Sequence, residues 1–382
     1  MNMGMPDNAL PQRISRRALL RSALTGGTGL LAAYLLACSE DGDGSGPGAT
    51  DQPGDGEQVR FRWAPLTPPA PLPPRRRDHS MVTDGAAVYV FGGQSNAPLG
   101  DLWVYSIRSS TWTNATIEGG PAARFGHNAV WDANRSRMIV FGGQAGGNVF
   151  YNDVWEYAPG EGRWFQAKVG TEGPAPAPRY GAASAIDSAG TFVVSHGFTD
   201  QGRFSDSWRY DPASATWTDI TPAEQDEKPI ERCLMRGVWD TVRGRLLMYG
   251  GQTTDTPFLD DLWALGSTGW QQLPRSPNPD ARNLYAMVFD DRRKRAILIG
   301  GRTPAGQMND VWLFDTTDES WSATTVRTSR PSPRYGLDAV WVPETSTVLI
   351  FGGNDGTEDL NDIWQLTPPA ADLEPVAPTP TP

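Results

Sequence analysis

The chain has 382 residues, with 42 Gly, 33 Pro and 15 Trp but only 20% charged side chains, a turn-rich, tryptophan-rich make-up that points to an all-β protein. Its formal net charge is −11 and its bases are 30 Arg against 3 Lys, so it lacks the net basic surface that phosphate contacts need, and no nucleic-acid partner is expected. Two Cys and three His exclude a disulfide-stapled scaffold and are too few for the usual zinc cluster; no metal and no cofactor are expected.

Residues 1–37 read as an export address. Arg16 and Arg17 stand together in Ser15-Arg16-Arg17-Ala18-Leu19-Leu20, ahead of a weakly apolar stretch from Ser22 to Ala37. At about 1.5 Å rise per residue that stretch is too short to span a bilayer and reads as the h-region of a signal peptide. The twin arginine resembles the signal of the Tat pathway, which exports folded proteins. Leu35-Leu36-Ala37-Cys38 resembles the lipobox of bacterial lipoproteins. That resemblance implies that Cys38 carries diacylglycerol and palmitate and becomes the mature N-terminus, leaving the protein lipid-anchored at the cell envelope, facing the periplasm or the cell surface. Ser39 is compatible with outer-membrane sorting.

Residues 38–57 follow as a tether with six acids and no bases; it has nothing apolar to bury and is expected to be disordered. The Pro-rich segment 368–382 is its counterpart at the other end. These two segments carry most of the acidity, so residues 58–367, the expected folded body, are only mildly acidic.

Within that body one pattern recurs six times, which decides the fold before any secondary structure is assigned. An apolar run ends in a glycine pair: Val88 to Gly93, Met138 to Gly143, Phe192 to Gly197, Leu246 to Gly251, Ala296 to Gly301 and Val348 to Gly353, the third copy reading Ser195-His196-Gly197. Soon after comes an Asp-x-Trp triplet, headed by Asp101, Asp153, Asp206, Asp261, Asp310 and Asp362. A second Trp follows at Trp112, Trp164, Trp217, Trp270 and Trp321, and an arginine precedes each glycine pair: Arg76, Arg124, Arg179, Arg232, Arg282 and Arg334.

This pattern resembles the Kelch-repeat family. The resemblance implies a six-bladed β-propeller of four-stranded antiparallel blades, strands A to D, packed face to face around a central axis. The sixth copy lacks its second Trp, whereas Arg60-Phe61-Arg62-Trp63-Ala64-Pro65-Leu66 ahead of the first copy reads as a spare strand D. We therefore expect an N-terminal strand to close the last blade, leaving no open sheet edge. Trp131, Trp239 and Trp341 fall seven residues after their arginines, where the alternate blades have Thr83, Ile186 and Phe289; this large–small alternation reads as packing between blades.

Chain topology puts the arginines, the Asp-x-Trp aspartates and the loops between strands B and C on one face. Six arginines around one mouth would make a carboxylate-binding ring. In the Kelch domain of a eukaryotic oxidative-stress sensor, arginines at this repeat position help to bind an acidic peptide, so Arg76, Arg124, Arg179, Arg232, Arg282 and Arg334 are candidate ligand contacts, with Phe150, Tyr151, Phe204 and Phe258 in the loops. The competing reading pairs each arginine with an aspartate of its own blade and leaves only a subset free. His79 and His127 stand where the family often has His, and their counterparts Ala182, Met235, Tyr285 and Leu337 are not metal ligands. Cys233 is expected to be a buried free thiol.

No nucleophile elbow, P-loop or zinc-protease helix is present, and no catalytic residue is assigned. The leading expectation is a monomeric, envelope-anchored binding module whose loop face recognises a protein, a peptide or a glycan. The alternative is a carbohydrate-active enzyme resembling the Kelch-type sialic-acid mutarotase, which needs only an acid–base group and an arginine; Glu224, Asp226, Glu227 and Glu231 are the available acids. A third reading is structural assembly with an envelope complex.

Overall fold

The computed structural model describes residues 60–167, 173–223, 227–275, 277–326 and 329–369. Arg16, Arg17, Cys38 and the segments 1–37 and 38–57 lie outside the described residues, as do Glu224, Asp226 and nearly all of 368–382. Every regular element in the described part is a β-strand. Short runs of β-branched and aromatic residues bounded by glycines and Asx-capped turns favour strands over helices.

Blade 1 runs Ser80–Thr83, Ala87–Phe91, Leu102–Ser106 and Thr111–Asn114 as strands A to D, each antiparallel to the next. Blades 2 to 5 repeat this order. Blade 6 supplies Asp338–Val342, Thr347–Phe351 and Ile363–Thr367, and its fourth strand is Arg60–Leu66 from the other end of the chain. Trp63 stands opposite Leu366, as Trp112 stands opposite Tyr105 and Trp270 opposite Leu265. Trp63 is thus the sixth strand-D tryptophan, and the expected closure by an N-terminal strand is what the pairing shows. Thr325 and Val326, leaving blade 5, pair in parallel with Arg60 and Phe61, so the closing strand is held on both edges where it enters.

Strand A of each blade lies beside strand A of the next, and that of blade 6 beside that of blade 1, so the inner strands ring a central channel. The core lies between blades. Four of the six strand-D tryptophans pack on the aromatic residue that ends strand B of the preceding blade: Trp164 on Phe91 at 5.1 Å, Trp217 on Phe141 at 4.9 Å, Trp321 on Tyr249 at 5.3 Å and Trp112 on Phe351 at 5.1 Å between ring centroids. Offset and tilted aromatic pairs of this kind add to the burial of apolar area.

The glycine pairs let neighbouring blades approach. Gly92 has φ +62, and a Cβ there would stand 2.7 Å from the Arg124 carbonyl oxygen of blade 2, a distance no side chain tolerates. Around the channel mouth on the loop face, the residues two after each arginine close a ring of six backbone hydrogen bonds: Asp78 to Gly336, Gly336 to Leu284, Leu284 to Leu234, Leu234 to Gly181, Gly181 to Gly126 and Gly126 to Asp78, N to O at 2.8–2.9 Å. All six residues have φ between 53° and 65°. The ring ties every blade to the next and gives the propeller its closure at the axis.

Candidate functional site

The six arginines are built into the walls. Their side chains are 0–2% exposed. Each grips the aspartate of its blade's Asp-x-Trp triplet through two parallel bonds; for Arg76 these are Nη1 to Asp101 Oδ1 at 2.8 Å and Nη2 to Asp101 Oδ2 at 2.7 Å. Nη1 also donates to the Gly92 carbonyl and Nε to the Pro74 carbonyl, while Asp101 Oδ2 accepts the Trp103 indole N–H at 2.7 Å. The same set recurs in the other five blades, with Asp153, Asp206, Asp261, Asp310 and Asp362. The arginine, the glycine pair and the Asp-x-Trp triplet are therefore one network, a fork-to-fork ion pair that desolvation would penalise without these bonds.

This geometry changes the expected carboxylate-binding ring. The pairing extends to all six arginines and leaves no subset with an open guanidinium. Burial alone would push the Asp206, Asp261 and Asp362 carboxyls up, but the hydrogen bonds and charges of Arg179, Arg232 and Arg334 overcome it and hold them below the usual carboxylate range. Tyr151 and Phe204 lie over the Arg124 and Arg179 guanidinium groups at 4.2 Å, as lids on the buried forks.

The loop face instead presents the residues one after each arginine and one after each glycine pair, which meet in isolated bridges: Phe125 with Gln144, Tyr180 with Phe198, Asn283 with Arg302 and Tyr335 with Asn354 among them. Over blades 2 and 3 these form a half-buried aromatic patch. Tyr180 packs on Phe198 at 5.5 Å, on Phe150 at 6.0 Å and on Phe125 at 6.1 Å, and Arg203 lies over Phe198. Val149 and Ile230, 52% and 60% exposed, sit in loops of the same face. Of the loop aromatics expected to bind, Phe150 joins this patch; Phe258, partly buried in the blade 4 loop, does not. Sequence reasoning missed Phe125, Tyr180 and Phe198. The signal was available: Phe125 and Tyr180 stand where blades 1 and 5 have Arg77 and Asn283, and Phe198 stands where the other five blades have Gln94, Gln144, Gln252, Arg302 and Asn354.

A second group lies inside the channel. Arg236 of blade 4 crosses it: Nη2 donates to the His79 carbonyl of blade 1 at 3.1 Å and lies 3.8 Å from Asp338 Oδ2 of blade 6. Asp338 also accepts the Met81 and Ala339 backbone N–H groups. Arg236 and Asp338 occupy the same repeat position, four after the arginine, so aligned copies carry opposite charges there. Burial pushes the Asp78 and Asp338 carboxyls up. Beneath the ring of six backbone bonds, Asp78, Tyr180 and Arg236 border a cavity with room for one or two waters.

The three histidines are fully buried, and burial holds all three below the ordinary imidazole range, His196 to about 3. His127 Nε2 shares a hydrogen bond with Ser80 Oγ at 2.8 Å across the seam between blades 1 and 2. Among the described residues no group of three or more His, Cys, Asp or Glu could hold a metal. Cys233 is a buried free thiol, whose pKa burial pushes up. Glu227 and Glu231 line an open recess with Lys228 and Asp255 on the loop face.

The profile of the KLHDC2/KLHL20/DRC7 Kelch-repeats domain matches residues 57–235 and 221–372. Among curated proteins the chain is similar to the alpha chain of flagellar outer-arm dynein of Chlamydomonas reinhardtii, 25% identical over 259 residues that cover 63% of this chain and 6% of that protein. It is similar to Multiple epidermal growth factor-like domains protein 8 of Mus musculus, 32% identical over 276 residues, 69% of this chain and 8% of that protein. It also resembles Mei4-dependent protein 6 of Schizosaccharomyces pombe, 22% identical over 342 residues, 76% and 47% of the two chains. The chain spans less than half the length of each of these relatives. Six blades held by the same arginine–aspartate–tryptophan network, and a profile match that runs through all of them, place this chain in the KLHDC2/KLHL20/DRC7 Kelch-repeats domain family.

Proposed function

We propose that this propeller is an envelope-anchored interaction module whose loop face takes a protein partner over blades 2 and 3. The Kelch propeller fold supports a protein-interaction module in general. The observation that favours this patch is the half-buried cluster of Phe125, Phe150, Tyr180 and Phe198 with Arg203 above it. Rigid aromatics and arginine are the residues that carry most binding energy at protein interfaces. The buried arginine forks serve this reading indirectly, by fixing the loops that present the patch.

Site-specific photo-crosslinking in the producing cell tests the reading. A crosslinking residue placed at Phe150 should capture a discrete partner, and one at the exposed Thr113 of outer strand D in blade 1 should not. Equal capture from both positions, or none from Phe150, would overturn it. The anchor is tested separately: a palmitate analogue should label the wild-type chain and not Cys38→Ala, and an unlabelled wild type would remove the anchor from the proposal.

A further inference from the structure

At the end of the channel opposite the loop face, strand A of every blade runs into its turn toward strand B, and the channel widens into a funnel of about 470 Å³. That is within the range of small-molecule pockets. The walls are apolar, with Ala185 in blade 3 and a valine in each of the other five blades. Farther out, Trp131, Trp239 and Trp341 alternate with Thr83, Ile186 and Phe289. The lip carries Asp84, Asp291 and Glu344, and no lysine, arginine or histidine is among the lining residues.

Among the described residues these carboxylates make no ion pair. Asp84 caps the Ala86 and Ala87 N–H groups and accepts the Tyr89 hydroxyl. Asp291 accepts one hydroxyl, from Thr241, at 2.7 Å. Glu344 is exposed and has no hydrogen bond or salt bridge among the described residues. Higher in the channel Arg236 lies 3.8 Å from Asp338, and Asp78 is faced by Arg77 at 3.7 Å as well as by Arg236. The excess of negative charge therefore lies at the lip, where Asp84, Asp291 and Glu344 have no ion pair among the described residues and stand beside apolar walls.

We propose that the funnel is a second binding site, independent of the loop face, for a small organic cation: an ammonium or guanidinium head on an apolar stem. The lip supplies the charge, and the indoles and valines bury the stem. A neutral or anionic molecule of the same shape leaves the carboxylates without a partner or repels them. The head can belong to a free amine or to a lysine or arginine side chain of another protein.

Titration calorimetry of the propeller with n-butylammonium, n-butanol and butyrate tests this. Butylammonium should bind at millimolar concentration, and the other two should not. The double substitution Asp291→Asn and Glu344→Gln, both at exposed positions, should weaken butylammonium binding about tenfold, and raised salt should weaken it in the wild type. Phe150→Ala should leave it unchanged, which separates this site from the loop face. A lysine-containing peptide that binds tighter than butylammonium identifies a protein source, and equal affinity identifies a free amine. Butanol or butyrate binding as well as butylammonium, an undiminished double variant, or no binding of the amine would each overturn the assignment.

Discussion

His196 meets Trp270 edge to face, with ring centroids 5.6 Å apart and planes at 82°, and so fills the seam between blades 3 and 4 from the position of a glycine. Phe91, Phe141, Tyr249 and Phe351 end strand B in four other blades, and Ile299 holds the equivalent position in blade 5, where the strand runs on to Thr303. Blade 3 has the small Ser195 there, and the next residue supplies the ring. His196 adopts φ 63, the left-handed conformation that glycine adopts freely and other residues adopt at a cost of about 1–2 kcal/mol. Its Nε2 lies 3.5 Å from the Pro229 carbonyl of the next blade. The Arg232 N–H reaches the Phe204 carbonyl at 3.4 Å, whereas the other five arginines make this bond at 2.8–3.0 Å.

His196→Gly isolates this device through its pH dependence. The imidazole is neutral in the folded protein, its pKa held to about 3 by burial and the Arg232 charge, against 6.5 when unfolded. A lowered folded pKa means that the unfolded chain binds the proton first, so the contribution of His196 is complete above pH 6.5 and shrinks as pH falls toward 3. Wild type should therefore lose about 2 kcal/mol relative to His196→Gly between pH 7 and pH 5, read as the difference in urea unfolding free energies. Parallel pH profiles for the two proteins would contradict the neutral buried imidazole.

The arginine forks should behave as structural members. Arg124→Ala removes the partner of Asp153 and leaves a partly buried carboxylate, an unbonded Gly142 carbonyl and the Trp155 indole without a fixed acceptor. Losing one member of a buried pair typically costs about 3–5 kcal/mol, and urea unfolding should show a loss of that order. A variant of unchanged stability would show that the fork is dispensable to the fold.

The closing strand is a third test. Phe61 and Trp63 are 0% and 3% exposed and join the core between blades 5 and 6. Deleting residues 58–67 removes both and leaves Ile363–Thr367 as an open edge. The melting temperature should fall markedly and the truncated chain should aggregate; an unchanged melting curve would contradict closure by this strand.

Much of this architecture was legible because each structural need repeats. A backbone approach that excludes a Cβ recurs as Gly-Gly, and a buried fork recurs as arginine with aspartate. Trp63 was recognisable because its five counterparts made its absence from the sixth copy visible. What repetition hides is accessibility: Arg76 or Arg334 reads the same in sequence whether its guanidinium opens to solvent or closes on an aspartate. The aromatic patch and the Arg236–Asp338 contact were harder to see for the opposite reason. They lie where copies differ, and single differences gain meaning only when six blades are placed around one axis.

Arg236 and Asp338 give the last prediction. Arg236 is the cation that faces Asp338 across the channel, it shares Asp78 with Arg77, and burial already pushes both carboxyls up. Arg236→Met removes that charge and raises both further. A raised folded pKa means that the folded state holds its proton longer than the unfolded state, so stability falls as pH rises from the unfolded value near 4 through the folded one. Relative to wild type, Arg236→Met should therefore be least impaired in acid and progressively more impaired toward neutral pH, measured by urea unfolding across that range. Adding Asp338→Asn to the variant should restore much of the neutral-pH stability, because the uncompensated charge is gone. If the double variant is no more stable than Arg236→Met at neutral pH, Arg236 acts through packing of its stem, and Asp338 is not its electrostatic partner.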